Sequence, residues 1–294
     1  MAVSGFVLLD KPVGITSRAA GARVARIFGT KKFGHVGTLD PMASGLLIIA
    51  LGNATKMIPY LPDGVKGYEF AIQWGVQTDT GDITGSVQSS ECSVQIPTDT
   101  EIIAACGAMT GACDQMPPAF SAKKIDGVPA YKRARRGESV ALKPKRITIY
   151  DLEFNICENK FVVKCSPGTY VRSLVQDLAE KCGTIATTSM IRRTVANGVL
   201  IKDAVKLDFL ENLYNNAPAD MKNYIMPADF GLDGIPVCNL NNADARLFAN
   251  GGFVSHGGSG LHRALAGNEF IGIGEAADGV LKPKRILNVA ENMD

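Results

Sequence analysis

Asp40 is the residue of this chain most openly prepared for chemistry. It lies in the segment Gly34-His35-Val36-Gly37-Thr38-Leu39-Asp40-Pro41-Met42-Ala43-Ser44-Gly45. Pro41 biases the Asp40 backbone toward an extended conformation, and Gly34, Gly37 and Gly45 permit sharp turns on either side. Leu39, Met42 and the apolar run over residues 46–51 press the carboxylate against low-dielectric surroundings. A carboxylate so placed must be paired, or its pKa rises and it becomes neutral. The alternative is a turn aspartate bonded to its own backbone. Arg172 is the candidate partner, because it falls in the first turn of a predicted helix, where the macrodipole disfavours a cation by up to ~1 kcal/mol. It also flanks the apolar Val171, Leu174, Val175, Leu178 face instead of lying opposite it. Paired with Asp40 it would keep the carboxylate ionised and oriented, as nucleophilic catalysis requires. Spacing alone leaves a plain surface arginine as the other reading.

Little else in the chain offers a reactive or metal-binding set. His35, His256 and His262 are too few and too scattered for a metal site built on imidazoles. The seven cysteines, from Cys92 to Cys238, include no C-x-x-C pair and are odd in number, so neither a disulfide framework nor a zinc ribbon fits. Asn53-Ala54-Thr55 is a glycosylation sequon without secretory context, and the glycines between 251 and 260 lack the lysine of a phosphate loop. No cofactor and no metal are expected. The amino terminus carries only residues 6–9 as an apolar run before Asp10 and Lys11, which is no signal peptide. The run 46–51 is far short of the ~18 residues of a membrane span. A reduced, cytoplasmic setting without membrane attachment is the expectation.

The net charge of +2, from 31 Lys+Arg against 29 Asp+Glu, conceals an uneven distribution. Between Ser121 and Ile147 nine basic residues face only Asp126 and Glu138, so the remainder of the chain is net acidic. Gly127, Pro129, Gly137 and Pro144 make this window an extended or looping excursion. Such a loop suits a polyanion, because each phosphate neutralised releases condensed counterions. A solvated surface loop is the bland alternative.

The elements that must position these groups can be read from periodicity. Residues 5–9 read as a strand, and Thr16 or Ser17 caps a helix with Ala20, Val24, Ile27 and Phe28 on one face. Residues 34–45 read as a loop, and 46–51 as a strand covered on both faces. From Tyr68 to Val76 the alternation of a half-buried strand is clean. A helix over 99–109, strands over 147–156 and 161–165, and a helix opened by Thr169 and ended by Gly183 follow. A further helical stretch covers 203–213, before a softer region over 215–227. Beyond it, strands over 270–274 and 286–289 stand among glycine turns. Strands and helices mix without a regular βαβ rhythm, which favours α+β with a mixed, largely antiparallel sheet. The division is a large domain over 1–230, carrying the basic insertion at about 117–147, and a small β-rich domain over 231–294.

The segment from Gly34 to Pro41, with Gly52-Asn53-Ala54-Thr55-Lys56, closely resembles the signature of the TruB family of tRNA pseudouridine synthases. The resemblance continues through Asp10-Lys11-Pro12-Val13-Gly14, Lys66-Gly67-Tyr68 and Thr78-Asp79-Thr80-Gly81-Asp82. It runs on through Pro117-Pro118-Ala119-Phe120-Ser121-Ala122 and Cys165-Ser166-Pro167-Gly168-Thr169-Tyr170-Val171-Arg172. It implies a pseudouridine synthase fold around a central RNA-binding cleft, an RNA-gripping thumb where the basic window falls, and a carboxy-terminal PUA-like RNA-binding domain. The implied activity is isomerisation of uridine-55 in the T loop of tRNA, with no cofactor.

By the same resemblance Asp40 is the essential aspartate, Arg172 its salt-bridge partner, and Tyr68 the tyrosine that stacks on the flipped base and is proposed to take the carbon-five proton. His35 would fill the space left by flipped nucleotides, and Tyr170 and Ile191 would line the base pocket. Lys11 and Pro12 would support the active-site loop. Lys123, Lys124, Lys132, Arg133, Arg135 and Arg136 would grip the RNA. Val36, Asn53, Pro167 and Ile191 depart from the residues common in the family, but none belongs to the Asp–Tyr–Arg set. The expected partner is tRNA through its T stem-loop, with no obligatory protein partner and a monomeric enzyme. Two alternatives stand beside this: the catalytic subunit of a guide-RNA-dependent H/ACA particle, and a non-enzymatic tRNA-folding chaperone. The H/ACA relative lacks a large thumb and often carries long basic tails, whereas this chain ends at Asn292-Met293-Asp294.

Overall fold

Residues 46–51 are apolar without interruption because they belong to a strand, Ser44–Leu51, that is covered on both faces there. Leu47, Ile49 and Leu51 enter one core cluster, while Leu46, Ile48 and Ala50 enter another. The neighbouring Gly5–Lys11 strand divides in the same way, with Val7 and Leu9 on one side and Phe6 and Leu8 on the other. Each such aliphatic residue removed from water contributes roughly 1.5–3 kcal/mol. The structure is a computed structural model and describes residues 3–90, 96–121 and 142–287, with isolated positions between 124 and 138.

The two strands sit within a ten-stranded mixed sheet. Eight of its strands run in the order Val205–Lys206, Gly5–Lys11, Ser44–Leu51, Ala186–Ala196, Lys66–Trp74, Lys160–Cys165, Lys145–Asn155 and Gly111–Gln115, and Val199–Leu200 and Phe33–Val36 pair off this path with Ala186–Ala196 and Ser44–Leu51 respectively. The pairings Gly5–Lys11 with Val205–Lys206 and Ala186–Ala196 with Ser44–Leu51 are parallel, and the others along this path are antiparallel. Helices Ser17–Ile27, Asp99–Ala108, Val171–Lys181 and Leu207–Asn216 supply residues to the first core. Thr16 caps the first of them by accepting from the Ala19 N–H at 3.0 Å. A reciprocal Thr98–Glu101 capping box starts the second.

A second sheet of five strands follows, with Gly260–Ala266, Glu269–Ala277 and Val280–Ile286 at its centre and helix Asn242–Ala249 against it. Phe270, Ile273 and Leu287 of this region share a core cluster with Phe6, Leu46 and Ile48 of the large sheet.

Several local readings are corrected. Residues 34–45 are not all loop, because Phe33–Val36 is a strand that pairs antiparallel with Ser44–Leu51. The helix expected from Thr169 begins at Val171, since the Thr169 hydroxyl donates to the Ser166 carbonyl at 2.9 Å and stays in the preceding turn. The helix expected over 203–213 is Leu207–Asn216, preceded by a 3₁₀ turn and the short Val205–Lys206 strand. The final strand is Val280–Ile286, and residues 288–289 of the expected 286–289 strand lie outside the described residues. The elements not anticipated include the helix Asn242–Ala249, the central strand Ala186–Ala196, and the strands Gly111–Gln115, Val237–Leu240 and Gly260–Ala266.

Candidate active site

Asp40 sits on the turn between the Phe33–Val36 and Ser44–Leu51 strands, and this turn is anchored from several directions. The buried Ser17 hydroxyl donates to the Leu39 carbonyl at 2.9 Å and accepts from the Leu39 N–H at 2.8 Å. The Gly14 N–H donates to the Pro41 carbonyl at 2.8 Å, and Ala43 N–H to the Asp40 carbonyl at 3.1 Å. Lys11 is fully buried and its ammonium donates to the Pro12 and Ile15 carbonyls, both at 2.8 Å. Burial pushes its pKa down to about 8, against the pull of the Asp40 charge. These bonds fix the backbone on both sides of Asp40, so the carboxylate has little positional freedom.

Arg172, only 4% exposed, meets that carboxylate with Nε 2.9 Å from Oδ2. Its Nη1 donates to the Thr80 carbonyl and its Nη2 to the Phe120 carbonyl, each at 2.7 Å. Asp82 Oδ2 stands 3.9 Å from Nη1. The guanidinium therefore spends its fork on two carboxylates and two carbonyls, which offsets the unfavourable dipole of the helix start. Asp82 is itself fixed by the Thr84 N–H at 2.9 Å and the Thr80 hydroxyl at 3.1 Å. The helix has no side-chain cap at Tyr170. Instead the buried Gln115 amide accepts from the Tyr170 N–H at 2.8 Å and donates to its carbonyl at 3.2 Å.

Asp40 keeps 36% of its side chain exposed and lines a cavity of about 580 Å³. Burial raises its pKa above the usual aspartate value, Arg172 opposes that rise, and the nearby Asp82 adds to it. Tyr68, Tyr170 and Ile191 line the same cavity. Tyr68 pairs across the sheet with Arg193, whose buried guanidinium lies near enough to the phenol to influence its ionisation. Burial raises the Tyr68 pKa, and the Arg193 charge opposes the rise. Arg193 also donates from Nε to the Leu46 carbonyl at 2.7 Å and from Nη2 to the Gly37 carbonyl at 3.1 Å. The Gly45 backbone has φ +99° and a Cβ there would stand 2.3 Å from the Arg193 carbonyl, so only glycine fits. A second cavity of about 380 Å³ meets the first along a shared wall that includes Asp40 and Arg172.

The structure thus brings Asp40, Arg172, Tyr68, Tyr170 and Ile191 together. His35 is not among the residues that line either cavity; its Nε2 lies 3.2 Å from the Thr38 hydroxyl, which does line both. Burial lowers the His35 pKa, and Arg193 and Arg18 lower it further. Lys123, Lys132 and Arg135 lie outside the described residues. Lys124 belongs by its backbone to a short hairpin, Lys124–Ile125 with Val128–Pro129. Arg136 is largely exposed with Glu138 at 3.6 Å, and the Arg133 carbonyl accepts from the Arg136 N–H. The sequence pointed to no place in the site for Asp82, Gln115 or Arg193, and offered Ser17 only as a candidate helix cap. Asp82 alone carried a signal, as the last residue of the Thr78–Asp82 motif. Among the described residues, no group of three or more His, Cys, Asp or Glu is arranged to hold a metal ion. No described helix is long and apolar enough to cross a membrane.

Residues 25–171 match the TruB family pseudouridylate synthase N-terminal domain, and residues 236–287 match the pseudouridine synthase II TruB C-terminal domain. The chain is 38% identical over 301 residues to the tRNA pseudouridine synthase B of Bradyrhizobium diazoefficiens, covering 98% of this chain and 86% of that one. It is 39% identical over 295 residues to the same-named protein of Pseudomonas putida, covering 97% and 96%. Among solved structures it is similar to a chain of the archaeal box H/ACA sRNP Nop10–Cbf5 complex, with a TM-score of 0.69 at 19% identity over 99% of this chain and 88% of that one. A Cbf5–Nop10–Gar1 complex gives 0.70 at 20%, covering 98% and 86%. At such identity the structural likeness speaks for the fold alone. The extended match to the family domains and to full-length relatives goes further: the chain belongs to the TruB family of pseudouridylate synthases.

Proposed function

We propose that this chain isomerises uridine-55 in the T loop of tRNA to pseudouridine, acting alone on a flipped-out nucleotide. The reaction breaks the N1–C1′ bond, turns the uracil, joins C5 to C1′, and exchanges a C5 proton for one on N1. Nothing is oxidised and no group is imported, so the atoms balance within the uridine. The observation that carries the reading is the Asp40–Arg172 ion pair in the wall of a cavity that Tyr68 and Ile191 also line. Arg172 holds Asp40 as an oriented carboxylate able to act at the glycosidic bond, whether on the sugar or on the base.

Extruding the target base costs a few kcal/mol. Stacking on an aromatic ring returns ~1–3 kcal/mol per base, and of the two tyrosines that line the cavity, Tyr68 and Tyr170, Tyr68 takes that part. Tyr68 enters as a neutral phenol, because burial raises its pKa. The adjacent Arg193 charge lowers the cost of a phenolate that forms as the C5 proton leaves. Tyr170 and Ile191 shape the base pocket, and His35, hydrogen-bonded to Thr38 at 3.2 Å, occupies space vacated in the T loop. The basic insertion, including Lys123, Lys124, Lys132, Arg133, Arg135 and Arg136, neutralises phosphates of the stem. Residues 1–230 form the catalytic domain and 231–294 an RNA-binding accessory domain of a monomeric cytoplasmic enzyme.

The test is an unmodified tRNA transcript incubated with purified protein, without guide RNA, followed by an assay for pseudouridine in the T loop. Product at position 55 is expected. Product only with an added guide would favour the H/ACA-type reading, and tRNA binding without product would favour the chaperone.

A further inference from the structure

Ser121 ends the Pro117–Pro118–Ala119–Phe120–Ser121 segment, 3% exposed, and its hydroxyl oxygen has no protein hydrogen-bond partner. Buried polar atoms nearly always have one, so an exception calls for a cause. Among the described residues, two other buried hydroxyls share this state, on Thr184 and Thr188, but neither lines either cavity of the site. Ser121 lines both. Its neighbour Phe120 gives its carbonyl to Arg172 Nη2 at 2.7 Å, while Arg172 Nε holds Asp40 at 2.9 Å. One guanidinium therefore ties the Ser121 segment to the carboxylate.

We propose that the Ser121 hydroxyl binds the ribose 2′-hydroxyl of the uridine being isomerised. The inference rests on the isomerase reading above and deepens it. Tyr68 and Ile191 line only the larger cavity, whereas Thr80, Asp82 and Thr84 line only the smaller. The base belongs with the aromatic and aliphatic walls of the larger one. Asp40, on the wall the cavities share, must reach the glycosidic bond, so the ribose lies along that wall. The 2′-carbon is bonded to the glycosidic carbon, which brings its hydroxyl to the groups beside Asp40. A serine hydroxyl and a 2′-hydroxyl each both donate and accept, and the 2′-hydroxyl is the group by which a site tells RNA from DNA. In the free enzyme the Ser121 hydroxyl lacks a partner, and the substrate hydroxyl supplies one.

The test places Ser121 and Ser121→Ala in an Asp40→Asn background that halts turnover. Dissociation constants are measured for T stem-loops carrying uridine or 2′-deoxyuridine at the target position. With Ser121 present the ribonucleotide should bind about five- to tenfold more tightly, the worth of one neutral hydrogen bond, and Ser121→Ala should erase the preference. Equal preference in both proteins overturns the proposal. With Asp40 intact, Ser121→Ala should lower kcat/KM on tRNA about tenfold without lowering Tm, because it removes an unpaired buried hydroxyl. Unchanged kcat/KM in an otherwise active enzyme overturns the Ser121 assignment alone, whereas an inactive parent protein overturns the isomerase reading itself.

Discussion

Replacing Arg172 by lysine keeps the charge and removes the fork. The native guanidinium serves the Asp40 carboxylate at 2.9 Å and the Thr80 and Phe120 carbonyls at 2.7 Å, with Asp82 at 3.9 Å. An ammonium can turn toward Asp40 or toward the two carbonyls, which converge from different segments, but it cannot reproduce this arrangement. Two hydrogen bonds from a charged donor are lost, each worth about 1.5–3 kcal/mol, so Arg172→Lys should destabilise the protein by about 3–6 kcal/mol. Displacing the carboxylate by an ångström lowers the chemical step by about 100-fold. Arg172→Met separates charge from geometry. Arg172 is the largest influence holding the Asp40 pKa down against burial. Activity that needs the ionised carboxylate is lost as pH falls through the folded-state Asp40 pKa, which already lies above the usual value. Removing the charge raises that pKa further, so the acidic limb of the rate profile moves to higher pH in Arg172→Met and less in Arg172→Lys. The assays are denaturant unfolding and single-turnover rates across pH. An Arg172→Met enzyme with an unshifted acidic limb and a wild-type rate would refute the coupling of Asp40 to Arg172.

Other consequences follow from the same geometry. Gln115→Leu strips the Tyr170 N–H and carbonyl of their partner, at about 1–3 kcal/mol for each buried group left unpaired; a Tm equal to wild type would contradict this. Neutralising Lys132, Arg133, Arg135 and Arg136 should weaken tRNA binding, and each phosphate contact removed should reduce the slope of log K against log salt by about 0.9. An unchanged slope would remove the insertion from the RNA interface. Tyr68→Phe should retain tRNA affinity within a few-fold and lose turnover, as read by filter binding and product formation; full turnover would assign Tyr68 to stacking alone.

What the sequence made legible depended on how local the governing physics was. The Ser44–Leu51 strand announced itself through residues 46–51, which are buried on both faces and leave no polar position to break the run. The first helix was legible from Thr16, whose capping bond spans three residues. Strand Ala186–Ala196 was not, because register shifts near Thr188 and Arg193 break its alternation and it buries Thr187, Thr188 and Arg193. Arg193 is buried only because Leu46, 147 positions away, and Gly37 supply its carbonyl partners. The helix Asn242–Ala249 did carry a local signal, since the Asn241 side chain accepts from the Asp244 N–H at 2.8 Å, but the surrounding glycine turns drew the reading toward strands. In the site, Asp40 stood out through Pro41 and the glycines around it, and Arg172 through its awkward place at a helix start. Gln115 and Ser17 act on backbone groups 55 and 22 positions away, respectively, and no nearby residue reports such contacts.

The central claim is that Asp40 drives uridine isomerisation at one place in tRNA. Its most direct test maps pseudouridine at single-nucleotide resolution in a tRNA transcript after a single turnover with wild-type enzyme and with Asp40→Asn. Wild-type protein should yield one pseudouridine per tRNA, at position 55 of the T loop. Asp40→Asn should bind the same tRNA within a few-fold and yield none. Product at other positions from the wild type, or product at position 55 from Asp40→Asn, would contradict the account.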